Sequence, residues 1–171
     1  MMKLFLIGYM GSGKTTLGDP LAKKLQIPFI DLDTLLEKRE GKSIPQLFEE
    51  VGEAGFREKE RDLLQKGVFP DQFVMATGGG APCFFDNMDW MNRQGITMYL
   101  RARAEEIARR LENERSQRPL LRDIEKQDLV GVIRERIAGR EKFYLQAKLV
   151  MEHDNLTVDL LLEALQKYTR K

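Results

Sequence analysis

The first stretch that could do chemistry is LFLIGYMGSGKTTLG, residues 4–18, where an apolar run leads into small residues, a lysine and two threonines. Gly8, Gly13, Lys14 and Thr15 meet the spacing G-x-x-x-x-G-K-[ST]. Glycines let a backbone curl around a phosphate, and free N–H groups at a helix start carry partial positive charge. We expect an exposed Lys14 to reach the β- and γ-phosphates of a nucleotide. The loop residues expected to bind it are Gly11, Ser12, Gly13, Lys14, Thr15 and Thr16.

Two aspartates form a second candidate site. Asp31 and Asp33 stand in DLDT at the end of the second apolar segment, and in an extended chain both would point to the same side. One carboxylate could hold Mg²⁺ while its neighbour accepts a hydrogen bond from a substrate hydroxyl. The alternative is that either residue caps the following helix, a position where Asp is favoured.

Three consecutive glycines, Gly78, Gly79 and Gly80, stand in TGGGAP after the third apolar segment. Such a run costs conformational entropy when the chain folds. We therefore expect the backbone there to lie close to a ligand, and a plain turn is the weaker alternative.

Three arginines are ambiguous from spacing alone. Arg57 lies in GFREKE, Arg118 precedes PLL, and Arg140 begins REKFY. An arginine fork binds a carboxylate or phosphate with two hydrogen bonds, but most arginines cover solvated surface.

The elements that must position these residues alternate between short apolar strands and longer amphipathic segments. This pattern predicts an α/β fold, with a five-stranded parallel sheet and helices on both faces, in one domain over residues 1–171. The predicted strands are LFLIG, PFIDL, FVMAT, ITMYL and KLVME. Ligands of such sheets bind beyond the carboxyl ends of the strands, which is where the motifs above fall.

Two segments interrupt this alternation. Residues 34–70 form a long insert in which Ser43 and Gln46 have capping-box spacing, so we expect ordered helix there. Residues 112–123 are polar, arginine-rich and broken by Pro119, which predicts a mobile loop. The helix after the phosphate loop contains Pro20, and Gly18 could absorb the bend that a proline imposes.

Composition narrows the class of protein. The 171 residues carry 28 basic and 27 acidic side chains, a net charge of +1, so bulk attraction to nucleic acid or an anionic membrane is excluded. The single cysteine, Cys83, cannot form an intramolecular disulfide and fits a reducing compartment. No signal peptide precedes Lys3, and no apolar run approaches the ~18 residues of a membrane span. We expect a cytoplasmic enzyme that acts as a monomer on small molecules.

Taken together, GYMGSGKTT, DLDT, GFREKE, TGGGAP, RPLL and REKFY, in this order and over essentially the whole chain, resemble the shikimate kinase family. The phosphate loop alone is shared by many proteins, whereas the combination is far more specific. The resemblance implies a P-loop fold of the nucleoside monophosphate kinase type. A helical insert at about residues 34–70 would bind the substrate, and a lid at about residues 112–123 would close over ATP.

The implied reaction is transfer of the ATP γ-phosphoryl group to the 3-hydroxyl of shikimate, in the pathway to chorismate and the aromatic amino acids. On the acceptor side, the resemblance implies that Asp33 receives the substrate hydroxyls. It implies that Arg57 and Arg140 hold the substrate carboxylate. The adjoining wall would be formed by Gly78, Gly79 and Gly80.

The resemblance also assigns the nucleotide side. Thr15 would ligate Mg²⁺, with Asp31 close to the ion. Arg118 would face the transferring phosphoryl group from the lid, and Arg110 would pack against adenine. The residues that would carry catalysis are Lys14, Asp33 and Arg118.

Two alternatives stay open from the sequence. The acceptor could be gluconate or another small hydroxylated acid, since a phosphate loop, carboxylates and arginines would serve any of them. The chain could instead be a nucleotide-dependent switch or a regulatory module without kinase activity. No N-K-x-D guanine-specificity motif is evident, and every proposed substrate residue is retained, which argues against a switch.

Overall fold

The computed structural model describes residues 2–112, 114, 118–121, 123–152 and 155–170. The strands are β1 (Lys3–Ile7), β2 (Phe29–Asp31), β3 (Phe73–Ala76), β4 (Ile96–Arg101) and β5 (Leu149–Glu152). They form one five-stranded sheet in the order β2-β3-β1-β4-β5, and every pairing is parallel. The predicted α/β fold is confirmed, and each predicted strand overlaps an observed one.

Helices join the strands. The part of the chain that the structure describes contains α1 (Lys14–Leu25), α2 (Leu32–Glu40), α3 (Ile44–Lys66), α4 (Asn87–Gln94), α5 (Ala104–Leu111), α6 (Leu129–Tyr144) and α7 (Val158–Thr169). Short 3-10 turns lie at Ala81–Cys83 and Lys126–Asp128. None of the helices described is both long and apolar enough to cross a bilayer.

The central strand β1 is buried on both faces because helices cover each of them. Leu4 and Leu6 pack in a cluster with Leu21 of α1 and Leu161 of α7. Phe5 and Ile7 alternate to the other face, where α2, α3 and α4 contribute the apolar side chains. Because both faces of β1 are buried, its residues 4–7 are an uninterrupted apolar run, as is common for strands of parallel sheets.

The strand register brings the candidate loops to one edge. Leu6 pairs with Ala76, and Ala76 in turn pairs with Asp31. The phosphate loop, the DLDT segment and the TGGGAP segment therefore leave the sheet at about the same level. This is the edge at which ligands of open parallel sheets bind.

The insert is helical, as predicted. The Ser43 side chain accepts from the Gln46 N–H, and the Gln46 side chain accepts from the Ser43 N–H, so the capping box starts α3. The backbone of Gly52 leaves the helical conformation, with φ 67 and ψ −178, and divides α3 into two helical parts. The second part carries Arg57.

Helix α1 runs from Lys14 to Leu25 through the exposed Pro20. Gly18 lies where this helix meets the sheet. A Cβ at Gly18 would lie 2.7 Å from Cε2 of Phe29 and 2.9 Å from Cδ1 of Leu6. Glycine is required here because α1 packs directly on the sheet.

The predicted lid lies only partly within the described residues, since 113, 115–117 and 122 fall outside them. Leu121 is fully buried in a cluster with α5 and α6. The Leu120 carbonyl accepts a hydrogen bond from Nη1 of Arg136 at 2.6 Å. This part of the segment is anchored to α6.

Candidate active site

The phosphate loop joins β1 to the start of α1. Its glycines Gly8, Gly11 and Gly13 all have positive φ, at 145°, 76° and 98°. Gly13 precedes the first helical residue, so unpaired N–H groups of α1 face the loop. The backbone therefore forms the anion-binding turn that the sequence predicts.

Lys14 is buried, with 8% of its surface exposed, which differs from the expectation of an exposed lysine. Its Nζ donates to the carbonyl of Gly8 at 2.8 Å and to that of Tyr9 at 3.0 Å. Burial lowers the pKa of the Lys14 ammonium to about 8, and the nearby Asp33 carboxylate opposes that shift. Lys14 thus closes the loop on itself and places a cation at its centre.

Thr15 and Asp31 meet at the edge of the loop. The Thr15 hydroxyl donates to Oδ2 of Asp31 at 2.8 Å. Oδ1 of Asp31 accepts from the N–H of Thr34 at 3.1 Å, so this aspartate also caps α2. The capping interpretation of Asp31 is therefore confirmed, and its other carboxylate oxygen faces Thr15.

These two oxygen-bearing side chains fit Mg²⁺. Mg²⁺ prefers hard oxygen ligands and usually takes one or two from protein, with the remainder from water and substrate phosphates. Across the described ranges, no group of three or more His, Cys, Asp or Glu side chains could hold a metal ion. Thr15 and Asp31 supply only two oxygen-bearing side chains, which fits a Mg²⁺ ion that binds together with a nucleotide.

Asp33 occupies the first turn of α2, so the expected extended conformation across DLDT is wrong. Its side chain still lines the same cleft as Asp31. Burial and the Asp31 charge raise the pKa of the Asp33 carboxyl, whereas Lys14, Arg118 and Arg57 oppose the rise. Asp33 is thus surrounded by the predicted cations.

Arg57 is buried, with 4% exposure, and its Nη1 donates to Oε2 of Glu60 at 2.8 Å. Glu60 has 1% exposure, and burial raises the pKa of its carboxyl to about 7 despite the Arg57 charge. Oε1 of Glu60 and Nε of Arg57 have no hydrogen-bond partner within the described residues. Sequence reasoning missed Glu60, although its position one helical turn after Arg57 is the signal that could have found it.

The three glycines make room for these side chains. A Cβ on Gly78 would lie 2.3 Å from Oε1 of Glu60 and 3.0 Å from Oδ1 of Asp33. A Cβ on Gly80 would lie 2.4 Å from Nη2 of Arg57. Gly79 lies against the phosphate loop, where its Cβ would approach the Met10 nitrogen to 2.9 Å. A side chain at Gly78 or Gly80 would displace Asp33 or Arg57, and one at Gly79 would press on the backbone of the phosphate loop.

Arg140 approaches the same place from α6. Its Cζ lies 5.3 Å from the centroid of the Tyr9 ring, and its buried Nη1 has no partner within the described residues. Tyr144, one turn along α6, donates from its hydroxyl to the Gly79 carbonyl at 2.6 Å. Neither Tyr9 nor Tyr144 is distinguished by residue type or spacing in the sequence. Both are aromatic neighbours of motif residues, and only the fold shows what they touch.

Arg118 and Arg110 reach the nucleotide side of the cleft. Nη2 of Arg118 lies 3.2 Å from Oε2 of Glu114 in this conformation. Nη1 of Arg110 donates to the Gly11 carbonyl at 2.9 Å, and its Nη2 pairs with Glu106. Both arginines line the cleft above the phosphate loop.

The cleft encloses about 1170 Å³. A smaller recess adjoins it and shares Asp33, Gly79 and Arg118 with it. Predicted residues that line the main cleft are Gly11, Ser12, Gly13, Lys14, Thr15, Thr16, Asp31, Asp33, Gly79, Arg110 and Arg118. Predicted residues that line the recess are Asp33, Arg57, Gly78, Gly79, Gly80, Arg118 and Arg140. The structure therefore brings together all the residues that the motifs singled out.

A family model described as shikimate kinase matches residues 10–169. The chain belongs to the shikimate kinase family. A shikimate kinase from Bacteroides thetaiotaomicron is 47% identical over 156 residues, which cover 91% of this chain and 89% of that protein. The shikimate kinase of Bordetella pertussis strain Tohama I is 41% identical over 175 residues, covering 99% of this chain and 81% of that protein.

Solved structures of shikimate kinases match the fold. The 1.7 Å crystal structure of shikimate kinase from Bacteroides thetaiotaomicron superposes with a TM-score of 0.88 at 42% identity, over 99% of each chain. Shikimate kinase from Acinetobacter baumannii, solved in complex with shikimate, superposes with a TM-score of 0.90 at 32% identity, over 99% of this chain and 94% of that one. The family's architecture therefore extends over the whole chain.

Proposed function

We propose that this member of the shikimate kinase family transfers the γ-phosphoryl group of ATP to the 3-hydroxyl of shikimate, with Mg²⁺ as cofactor. Phosphorylation of shikimate is the activity for which its family is named. The observation that carries the assignment of roles is the convergence of Lys14, Asp33, Arg57 and Arg140 on one cleft and its adjoining recess.

The recess suits a small anionic triol. Arg57 and Arg140 each have a buried guanidinium nitrogen without a hydrogen-bond partner in the described part of the chain, and a substrate carboxylate would accept from both side chains. Asp33 lies across from them against Gly78 and would accept from the hydroxyl edge of the ring. Fixing both ends of a rigid ring orients the reacting hydroxyl.

The main cleft suits a triphosphate. Lys14 and the N-terminus of α1 would hold the β- and γ-phosphates, and Arg118 would neutralise charge on the transferring group. Thr15 and Asp31 would hold Mg²⁺, which when bound offsets charge on the phosphate oxygens. We propose that residues 112–123 act as the lid that brings Arg118 onto the phosphoryl group, and that residues 34–70 act as the acceptor-binding insert.

In the reaction, a lone pair on the acceptor oxygen forms a new O–P bond at the γ-phosphorus. The bond from that phosphorus to the bridging oxygen breaks, and its electron pair leaves with ADP. The hydroxyl proton passes to Asp33, whose raised pKa brings it nearer to the range of an effective acceptor, and then to solvent. Apart from this proton transfer, the protein contributes the alignment of these atoms and the neutralisation of their charge.

Shikimate and ADP binding, measured separately by titration calorimetry, test the assignment of the recess. Arg57→Lys should weaken shikimate binding about 10- to 100-fold and leave ADP binding unchanged, because a point charge cannot replace a planar fork. Arg93→Lys, on the exposed face of α4, is the matched control and should change neither. Equal losses for shikimate and ADP in Arg57→Lys would show that Arg57 is structural.

Asp33→Asn tests the other end of the recess. It preserves size but removes the negative charge, so kcat should fall by about 10²–10⁴ while shikimate binding changes less. Wild-type turnover in this variant would remove Asp33 from the mechanism.

We also propose that the enzyme works as a monomer in the cytoplasm. A lone, half-buried Cys83 supports a reducing compartment, and burial raises the pKa of its thiol to about 11, which keeps the thiol unreactive. Light scattering coupled to gel filtration should give the mass of one chain, 19.8 kDa. A mass of about twice that value would contradict the proposed monomer.

A further inference from the structure

One face of α3 lies against residues 84–87, the segment that follows the three glycines. Arg57 and Arg61 are one helical turn apart, and each lies over an aromatic ring of consecutive residues in that segment. Cζ of Arg57 is 4.6 Å from the centroid of Phe84, and Cζ of Arg61 is 4.4 Å from the centroid of Phe85. These distances are within the range of a cation–π interaction.

Gln65, one turn further along the same face of α3, also contacts this segment. Nε2 of Gln65 donates to Oδ1 of Asp86 at 2.8 Å and to Oδ1 of Asn87 at 2.9 Å. Asn87 is fully buried and donates from Nδ2 to the Ala81 carbonyl at 2.9 Å. The segment is therefore attached to α3 at three successive turns.

The backbone is strained at Phe85, the residue after Phe84. Phe85 has φ 52, a left-handed conformation that a bulky side chain rarely adopts. Phe85 is 53% exposed, so burial of apolar surface gives little in return. The strain accompanies an arrangement in which two adjacent phenylalanines each stack on a different arginine.

Arg57 has few other constraints on the plane of its guanidinium. Glu60 holds Nη1, the contact from Nη2 to Glu53 is long at 3.4 Å, and Nε has no partner in the described part of the chain. The Phe56 ring lies 5.1 Å from Cζ and also lines the recess. Phe84 is not among the residues that line the recess, and its contact with Arg57 links it to the site.

We propose that Phe84 is a positioning residue that sets the orientation of the Arg57 guanidinium for the acceptor carboxylate. The proposal rests on the function proposed above, in which Arg57 binds that carboxylate. Phe84 stacks on Arg57, and the turn at Phe85 together with the Asn87 hydrogen bonds fixes Phe84 against α3. Loss of the ring should therefore weaken acceptor binding without touching the nucleotide site.

Phe84→Leu and Phe84→Tyr separate stacking from packing. Leucine keeps apolar volume but removes the π face, and should raise KM for shikimate about five- to tenfold with KM for ATP unchanged. Tyrosine keeps the face and should restore KM to within about twofold of wild type. Phe69→Leu, in a half-buried ring that packs on Phe73 at 5.8 Å, is the matched control for lost packing and should leave KM for shikimate unchanged.

A double-mutant cycle tests whether Phe84 acts through Arg57. In an Arg57→Lys background, Phe84→Leu should add less than about twofold to KM for shikimate, because the fork that Phe84 orients is already absent. Full additivity, or failure of Phe84→Tyr to restore binding, would overturn the proposal. An Arg57→Lys variant with wild-type shikimate binding would instead refute the proposed role of Arg57, which distinguishes the two failures.

Discussion

Arg57 and Glu60 form an ion pair inside the recess, with Nη1 and Oε2 2.8 Å apart and Oε1 of Glu60 directed at Gly78. A substrate carboxylate at Arg57 would share its cation with this buried glutamate. The charge state of Glu60 should therefore influence how strongly the recess attracts an anion.

Shikimate affinity should vary with pH around the Glu60 pKa of about 7. Burial raises that pKa, so Glu60 takes up a proton as the pH falls from 8 to 6 and a negative charge beside Arg57 disappears. The dissociation constant for shikimate should then fall by about threefold to tenfold. Titration calorimetry at several pH values measures this directly.

Glu60→Gln is the control, because it keeps a hydrogen-bond acceptor for Arg57 but does not titrate. Its shikimate affinity should be nearly constant from pH 6 to 8, apart from the contribution of Asp33, whose pKa is also raised. A wild-type pH dependence in Glu60→Gln would show that Glu60 does not govern anion binding. Circular dichroism would verify that the variant is folded.

Nucleotide affinity should fall as the pH rises above about 8, the lowered pKa of Lys14. A lysine with a lowered pKa is charged below that value and neutral above it, whereas bound phosphates favour the charged form. ADP binding at pH 9 should therefore be weaker than at pH 7 and accompanied by proton uptake, which calorimetry in buffers of different ionisation enthalpy detects. Lys14→Met should bind ADP weakly with a flat pH profile and no turnover. Lack of proton uptake by the wild type would contradict the shifted pKa.

Arg118→Ala should lower kcat by on the order of 10³ and change either KM much less, because the arginine acts when charge spreads over the transferring oxygens. Arg118→Lys should recover only part of the loss, since lysine keeps the charge without the planar fork. The exposed Arg109, on α5 beside the site arginine Arg110, supplies the control Arg109→Ala, which should retain wild-type kcat. If Arg118→Ala mainly raises KM for ATP, Arg118 is a ground-state binding residue.

Gly80→Ala should raise KM for shikimate by about tenfold or more. Its Cβ would lie 2.4 Å from Nη2 of Arg57, and the guanidinium has little space to retreat because Glu60 and Phe84 hold it. Gly131→Ala is the same change in α6, where an added Cβ would have no neighbouring atom of the described residues within 4 Å outside its own helix. This variant should stabilise the protein by about 0.5–1 kcal/mol without altering kinetics. Steady-state kinetics and thermal unfolding of both variants measure these effects, and equal KM values would show that Arg57 can move freely.

The sequence predicted the sheet and the clustering of its loops well, because these depend on local properties. A short apolar run such as LFLI is typical of a strand buried on both faces of a parallel sheet, and strands that run parallel place their following loops at the same edge. The capping box at Ser43 is also predictable from the sequence, because it involves residues only three positions apart.

The sequence could not predict burial of charged groups or contacts across long separations. Lysine is usually exposed, which favours an exposed Lys14, yet two loop carbonyls hold its ammonium inside. The DLDT pattern favours an extended segment at Asp33, whereas Asp31 caps a helix that starts one residue later. The stacking of Phe84 on Arg57 joins residues 27 positions apart, and no spacing rule encodes it.

The most direct test of the proposed function is ADP release by the purified protein with Mg-ATP and a panel of acceptors: shikimate, gluconate, nucleoside monophosphates and none. We expect rapid release with shikimate, release near background with the others, and a product that ³¹P and ¹H spectra identify as the 3-phosphate ester. Faster release with gluconate or a nucleotide would contradict the assigned acceptor. Equal release with and without any acceptor would contradict a kinase altogether.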